Sequence, residues 1–446
     1  MVVRTRSTTA SVIAVLLTLA ADPSLLAQDN KNHTLKADPG RGSAQEQAAI
    51  DECKRALSLN PKAADVWFRL AGIYLSQNKS QQALTSYRKG LAVNPGNISA
   101  NENYAQLLVQ AGDFGAAIKP LQRVTRSEPG DMQSQLALIE AYLKTGRPDD
   151  AAARIEEVLK FSTSQDQLEL TRILVRMKHV ERAQEILEGL VKSDANLAEA
   201  HGQLGLLLME KEQFQGAAWE LGQAAQTEPE SARYSMGVAE VLLRWHHYST
   251  ALEFLNGVKA RFEALPQFQY DLAYAHYGLR HFEQAVSIAT ELLNQNPTFA
   301  PAEFLLGNCQ VSLGDLKPAK RHFERALQLD ATRPPYYAAL AQVTRYEGKE
   351  AEALEILKKG LALDPENTEM MFESALCYES EGKFADSQAI LERLVIVNPG
   401  LTRAHRLLLR VYGRSGNTAG MQREQGVLAE LEAREQAQRK LKDGSQ

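Results

Sequence analysis

Apolar and small residues recur along this chain on two scales. In the stretch Ala64 to Asn97, the first half carries Trp67, Leu70, Ala71 and Tyr74 at the three- and four-residue spacing of one helical face. The second half carries Ala83, Tyr87 and Gly90 on another such face, and polar residues separate the two. The pattern predicts two helices of about 14 residues joined by a short polar turn, a helical hairpin. Pro95 ends the second helix, because proline lacks the amide donor and clashes with the preceding turn. Ala71 and Ala83 are expected where the two helices touch, since larger side chains there would force the axes apart.

The hairpin returns at a fixed interval. Ala49, Ala83, Ala117, Ala151, Ala183, Ala217, Ala251, Ala285, Ala319 and Ala353 mark it, with Ser387 in the next place; every step is 34 residues except the 32 between Ala151 and Ala183. Pro61, Pro95, Pro129, Pro229, Pro297, Pro365 and Pro399 run in phase, each after Asn, Asp or Glu. One supersecondary unit is therefore stacked many times, with starts near 64, 98, 132, 164, 198, 232, 266, 300, 334, 368 and 402. Each unit buries its core against its neighbours and leaves an open face, so holding something is the expected role.

The order Trp-x2-Leu-Ala/Gly-x2-Tyr, then Ala, an aromatic, Ala or Gly, and Pro resembles the tetratricopeptide repeat. Leu204, Gly205, Ala217, Ala224 and Pro229 fill the same slots, as do Leu306, Gly307, Ala319, Phe323 and Ala326, and Leu340, Ala341, Ala353, Gly360 and Pro365. The unit at 164 departs from the pattern, with Thr171 in the small-residue slot and no closing proline, and the unit at 402 has Met421 in the alanine slot. The resemblance implies an all-α, right-handed superhelical solenoid of about 11 repeats over 64–426. Residues 43–63 read as a half-repeat cap. Residues 427–446 read as a capping helix and tail with a thin apolar stripe at Val427, Leu428 and Leu431; a coiled-coil partner helix is the other reading.

Arg4 and Arg6 ahead of the apolar run Ser11–Ala21 read as a secretory signal over residues 1–27, cleaved after Ala20, Ala21 or Ala27. The run is too short to cross a bilayer, so no integral span is expected. An exported protein, periplasmic or secreted, follows; a cytoplasmic one with a chance apolar leader is the rival reading. Residues 28–42 read as a disordered linker. The net charge of −5 argues against a nucleic-acid partner. Cys53, Cys309 and Cys377 sit in repeats too far apart to pair and are expected as buried apolar residues.

No catalytic or cofactor motif is present: there is no phosphate loop, HExxH, paired CxxC or GxSxG. His246, His247, His276 and His281 cluster, but without an acidic or cysteine partner at tight spacing they read as turn and packing residues, not metal ligands. No cofactor and no enzymatic activity are expected.

The resemblance implies that the first helix of each hairpin lines the concave face through about its second, fifth, ninth and twelfth positions. There Tyr270, Tyr274 and Tyr277 lie between Met236 and Leu243 of the preceding unit and Phe304 and Asn308 of the next, with Leu206 and Met209 one unit further back. Tyrosine gives large contact area with a polar tip, which suits a peptide groove; alternatively these rings pack on one another. A second candidate is the face shared by Arg403, Arg406, Arg410 and Arg414, which could hold an acidic segment or pair with Glu369, Glu373 and Glu379 of the neighbouring first helix. The family's clamp for acidic chaperone tails is not matched: its slots hold Phe68, Gly72, Asn103, Gln133 and Ala137, and only Asn103 fits. A protein or peptide partner of a bacterial-envelope scaffold is the leading expectation, with an accessory role in exopolysaccharide export or a cytoplasmic adaptor as alternatives. Capped ends disfavour end-to-end association, so a monomer is expected.

Overall fold

A computed structural model of the chain describes residues 41–443, so the signal expected at 1–27 and nearly all of the linker lie outside the described residues. The described residues are helical hairpins throughout, with no strand among them, which is the all-α repeat architecture expected above. A lone helix, α1 (Arg41–Leu59), precedes eleven hairpins. They are α2–α3 (Ala64–Ser76, Ser80–Val93), α4–α5 (Ile98–Gln110, Phe114–Ser127), α6–α7 (Met132–Lys144, Pro148–Leu159), α8–α9 (Ser164–Arg176, Val180–Ser193), α10–α11 (Ala198–Glu210, Phe214–Thr227), α12–α13 (Ala232–Arg244, Tyr248–Phe262), α14–α15 (Pro266–Gly278, Phe282–Gln295), α16–α17 (Ala300–Leu313, Leu316–Leu329), α18–α19 (Pro334–Tyr346, Glu350–Leu363), α20–α21 (Thr368–Ser380, Phe384–Val397) and α22–α23 (Thr402–Ser415, Thr418–Asp443). Even numbers are first helices and odd numbers second helices. The last helix starts at Thr418 and runs on without a break at 427, so the second helix of the final hairpin and the C-terminal segment are one element.

The described residues form two compact units, one of 41–211 with 219–228 and one of 212–218 with 229–443. Within each unit, first helices pack on their own second helices, and most second helices on the first helix that follows. The periodic alanines lie inside this packing: Ala83, Ala117, Ala151 and Ala183 in one unit, and Ala217, Ala251, Ala285, Ala319 and Ala353 in the other, are all 0% exposed. Ser387 keeps the slot by donating its hydroxyl to the Ala375 carbonyl at 2.9 Å. The opposing slots are as tight. A Cβ on Gly307 would stand 2.3 Å from the Phe323 ring, so only glycine admits that aromatic. The 32-residue step has a local cause: α7 has 12 residues where most second helices have 14. Thr171, in the small slot of that degenerate unit, is fully buried with its hydroxyl 2.7 Å from both the Leu168 carbonyl and Gln203 Oε1.

Consecutive hairpins are tied by a recurrent polar contact. The fourth residue of a first helix reaches back to a carbonyl six residues earlier, beyond the end of the previous hairpin. The donors are Trp67 to Pro61 (3.0 Å), Asn101 to Pro95 (2.9 Å), Gln135 to Pro129 (2.9 Å), Gln269 to Glu263 (3.0 Å) and Tyr337 to Ala331 (3.0 Å). His201 to Ala195 (3.1 Å) and His405 to Pro399 (3.0 Å) do the same. These two histidines also hold a second-helix carboxylate through Nδ1, Glu220 and Glu424 respectively, both at 2.6 Å.

Every hairpin turn has one residue in the left-handed region. Six are glycine, for instance Gly314 (φ 90°), but Asn78 (55°), Lys178 (64°), Glu212 (56°), His246 (60°) and Arg280 (64°) also adopt it. The conformation is imposed by the turn: in the unit starting at 266 the His281 amide donates to the His276 carbonyl at 2.9 Å, closing the helix end. A side chain bearing Cβ costs about 1–2 kcal/mol there relative to glycine, so Arg280→Gly is expected to stabilise the second unit by about 1 kcal/mol, less the greater entropy glycine confers on the unfolded chain. A rise in the urea midpoint at constant slope is the measurement; a fall would mean that Arg280 makes a contact worth more than the strain.

Candidate functional site

The first-helix face of the second unit is carried by α12, α14, α16, α18, α20 and α22, and α12 packs directly on α14. On α14, Tyr270, Tyr274 and Tyr277 stack along one stripe: ring centroids are 6.1 Å apart for Tyr270–Tyr274 at 18° and 6.0 Å for Tyr274–Tyr277 at 29°. The column continues sideways. Tyr248 meets Tyr274 edge-on at 6.3 Å, Phe299 lies 5.8 Å from Tyr270, and Phe282 lies 5.8 Å from Tyr277. Phe304 sits 4.7 Å from Tyr336 and 5.5 Å from Phe323, against the core. The tyrosines therefore pack on one another and on the core around Ala273 and Leu305, yet all three stay half-buried, as do Met236, Phe304 and Asn308. Desolvation pushes the Tyr274 phenol up to about 12 and raises that of Tyr270 further.

Leu243 does not join them. It is 4% exposed and packs in the core, where α12 and α14 meet, and not on the open part of the face. Leu206 is half-buried and Met209 1% exposed, both in the other compact unit.

One residue at this face carries no signal in the sequence. Asp271 stands between Tyr270 and Tyr274 on α14 and is 3% exposed. Gln267 donates to its Oδ1 at 2.8 Å, while Oδ2 is buried without a partner. Burial holds its carboxyl well above the usual carboxylate range, Gln267 pulls the other way, and the charge of Glu240 on α12 adds to the rise.

The arginines of α22 are divided among partners. Arg403 pairs with Glu369 and lies 4.4 Å over the Phe372 ring, and Arg410 pairs with Glu379 at 2.5 Å. Arg406 turns instead to Glu432 on α23, at 2.9 Å. Arg414 is exposed. Glu373 is not an acceptor for these arginines: it is 3% exposed and receives Arg345 at 2.8 Å and Gln342 at 3.2 Å. With three of the four guanidiniums engaged, α22 does not present one free cationic face.

Cys53, Cys309 and Cys377 are free and buried. His247 stacks on Trp245 at 3.9 Å, and His276 and His281 lie 5.7 Å apart. Among the described residues no group of three or more His, Cys, Asp and Glu side chains is placed to hold a metal ion, and no helix is long and apolar enough to cross a membrane.

The raised pKa of Asp271 makes a signed prediction. The folded chain holds this proton at pH values where the unfolded chain, at the ordinary value of 3.8, has lost it. Stability is then lost as pH rises from 3.8 through the folded value. Asp271→Asn removes that loss, so the variant is expected to melt above the parent near neutral pH and to converge with it on acidification. A constant gap across pH would show that the carboxyl titrates in the fold as it does in the unfolded chain; Glu240, which faces it from α12, is kept intact in both proteins.

Family models described as Tetratricopeptide repeat match residues 42–107, 75–135, 108–164, 276–343 and 345–411, and a second model of the same description matches 168–235. The chain is similar to the TPR repeat-containing protein YpiA of Bacillus subtilis, 20% identical over 309 residues, which cover 68% of this chain and 72% of that one. An 84-residue stretch is 37% identical to the probable biofilm formation methyltransferase WspC of Pseudomonas putida, covering 19% of this chain and 20% of the relative. Among solved structures, the APC/C hetero-tetramer Cut9–Hcn1 aligns at 12% identity over 88% of this chain and 85% of that one, with a TM-score of 0.44. With the repeat models spanning more than half of its length, the chain belongs to the tetratricopeptide repeat family.

Proposed function

We propose that this chain is a non-enzymatic scaffold that holds a protein or peptide partner on the first-helix face of its second unit, and that it does so as an exported protein of a bacterial cell envelope. The observation that carries the binding role is the tyrosine column. Tyr270, Tyr274 and Tyr277 are fixed by stacking, so little side-chain entropy is left to lose, and each keeps an exposed part for a ligand. A repeat stack leaves such a face open because each hairpin contacts only its neighbours. The basic-then-apolar leader, Arg4 and Arg6 ahead of Ser11–Ala21, supports export.

The test is crosslinked capture of partners by the full-length protein in its own cells, with the mature N-terminus read by mass spectrometry and Tyr274 variants run alongside. Tyr274→Ala is expected to weaken the partner by about 1–3 kcal/mol. Tyr274→Leu, which keeps the apolar bulk, guards against a folding defect. Envelope partners captured by the parent with a cleaved leader, and lost with both variants, agree with the proposal. Equal capture by the variants removes the tyrosine face from the function, and retention of Met1 or Val2 removes export.

A further inference from the structure

The repeats supply an internal comparison for Asp271. It occupies the sixth position of its first helix, the place that Glu373 occupies in the unit starting at 368. Both carboxylates are 3% exposed. Glu373 faces the ninth and twelfth residues of the preceding first helix, Gln342 at 3.2 Å and Arg345 at 2.8 Å, so its buried charge is neutralised within the fold. The same two positions opposite Asp271 hold Glu240 and Leu243. Where one slot has a guanidinium, the other has an aliphatic chain and a second acid. A buried carboxylate without a counter-charge is costly, and a carboxylate beside it raises that cost. Nearby cations do not relieve it. Arg244 reaches only Glu240, at 4.0 Å, with its guanidinium 5.9 Å from the Phe214 ring, and Arg333 is engaged by Asp330 at 3.1 Å.

We propose that Asp271 and Glu240 take a lysine or arginine side chain from a partner segment lying on the first-helix face that also carries Tyr270 and Tyr274. The inference rests on the reading above that the face binds a partner, and it names the chemistry of that partner. Carboxylates supply the charge, and tyrosine faces attract a cation through the ring quadrupole. Asp271 itself is covered, at 3% exposed. The covering group best placed to swing away is Gln267, an exposed side chain whose amide holds Oδ1. Displacing that neutral donor by an ammonium or guanidinium, with the Asp271 proton released to solvent, replaces a weak hydrogen bond with a charge-assisted one. The partner's cation thereby completes in trans what Arg345 completes in cis for Glu373.

The probes are three fluorophore-labelled octapeptides of alternating glycine with lysine, norleucine or glutamate, titrated into the full-length protein and read by anisotropy. The lysine peptide is expected to bind more tightly than the norleucine peptide, more weakly as salt rises. Asp271→Asn is expected to weaken it roughly tenfold or more and Glu240→Gln by a smaller factor, since the bound cation loses its desolvated carboxylate partner. Glu366→Gln, an exposed acid elsewhere on the unit, controls for attraction to the net negative protein and is expected to change nothing. Equal affinity for the lysine and norleucine peptides overturns the proposal, as does an unchanged lysine affinity in Asp271→Asn. If Tyr274→Leu loses the cellular partner while Asp271→Asn keeps both that partner and the lysine peptide, the face binds but not through a cation. If Tyr274→Leu keeps the cellular partner and the lysine peptide alike, the binding face itself is wrong.

Discussion

The structure depends on one contact made again in each hairpin: the alanine of a second helix against the small slot of its first helix. With these alanines wholly buried, the two backbones approach as closely as side-chain packing allows. That distance sets where the next hairpin can sit, so a misfit in one unit would be passed along the stack. Variation is admitted only where a local substitute keeps the distance. Ser387 bonds its hydroxyl to the opposing carbonyl, and Gly307 gives up its side chain so that Phe323 can enter. Because the contact is short-range and local, a tight repeat says nothing about what the outer positions must be, and those positions are free to carry function.

The ties between hairpins show how a fixed physical requirement tolerates changing chemistry. The carbonyl that ends one hairpin would be an unmet acceptor at the start of the next. Tryptophan, asparagine, glutamine, tyrosine and histidine all reach back to it, since each can place an N–H or O–H at the same point. At the two histidine ties the other ring nitrogen faces a glutamate, and the unit starting at 300 has the same pair reversed, Glu303 meeting His322 at 2.7 Å. The geometry is constant and the residue is not, which is why a motif search finds the alanine and passes over this tie.

The same contrast decides what is legible in the amino-acid sequence. The period, the hairpins and the buried alanines are legible because close packing allows few residue types at those slots. The tyrosine stripe is legible as a face, and its stacking is the packing alternative that the sequence leaves open, met together with partial exposure. Leu243 is the exception on that face: the family register says which positions look inward, while the direct packing of α14 on α12 decides whether they are open. The arginines of α22 share one face by helical spacing, which sees a single helix; their division between α20 and α23 depends on neighbours that spacing cannot see. The missing counter-ion of Asp271 shows only when two repeats are compared position by position with burial in hand.

The units starting at 232 and 266 break local rules that the later ones keep. Their shared first-helix face buries an acid next to another acid, where the unit starting at 368 supplies an arginine. Three tyrosines stand in a column that the core does not fully enclose. Each feature lowers stability or leaves an interaction unfinished, and none serves the alanine contact on which the stack rests. Natural sequences agree with their folds at most positions, so departures gathered on neighbouring repeats mark where something other than folding has set the residues. A buried acid without a counter-charge goes further than an exposed patch, because only a cation would let it ionise in place. The proposed cationic partner rests on this contrast between the chain's own repeats: an acid buried in the same slot of two units, and an arginine beside only one of them.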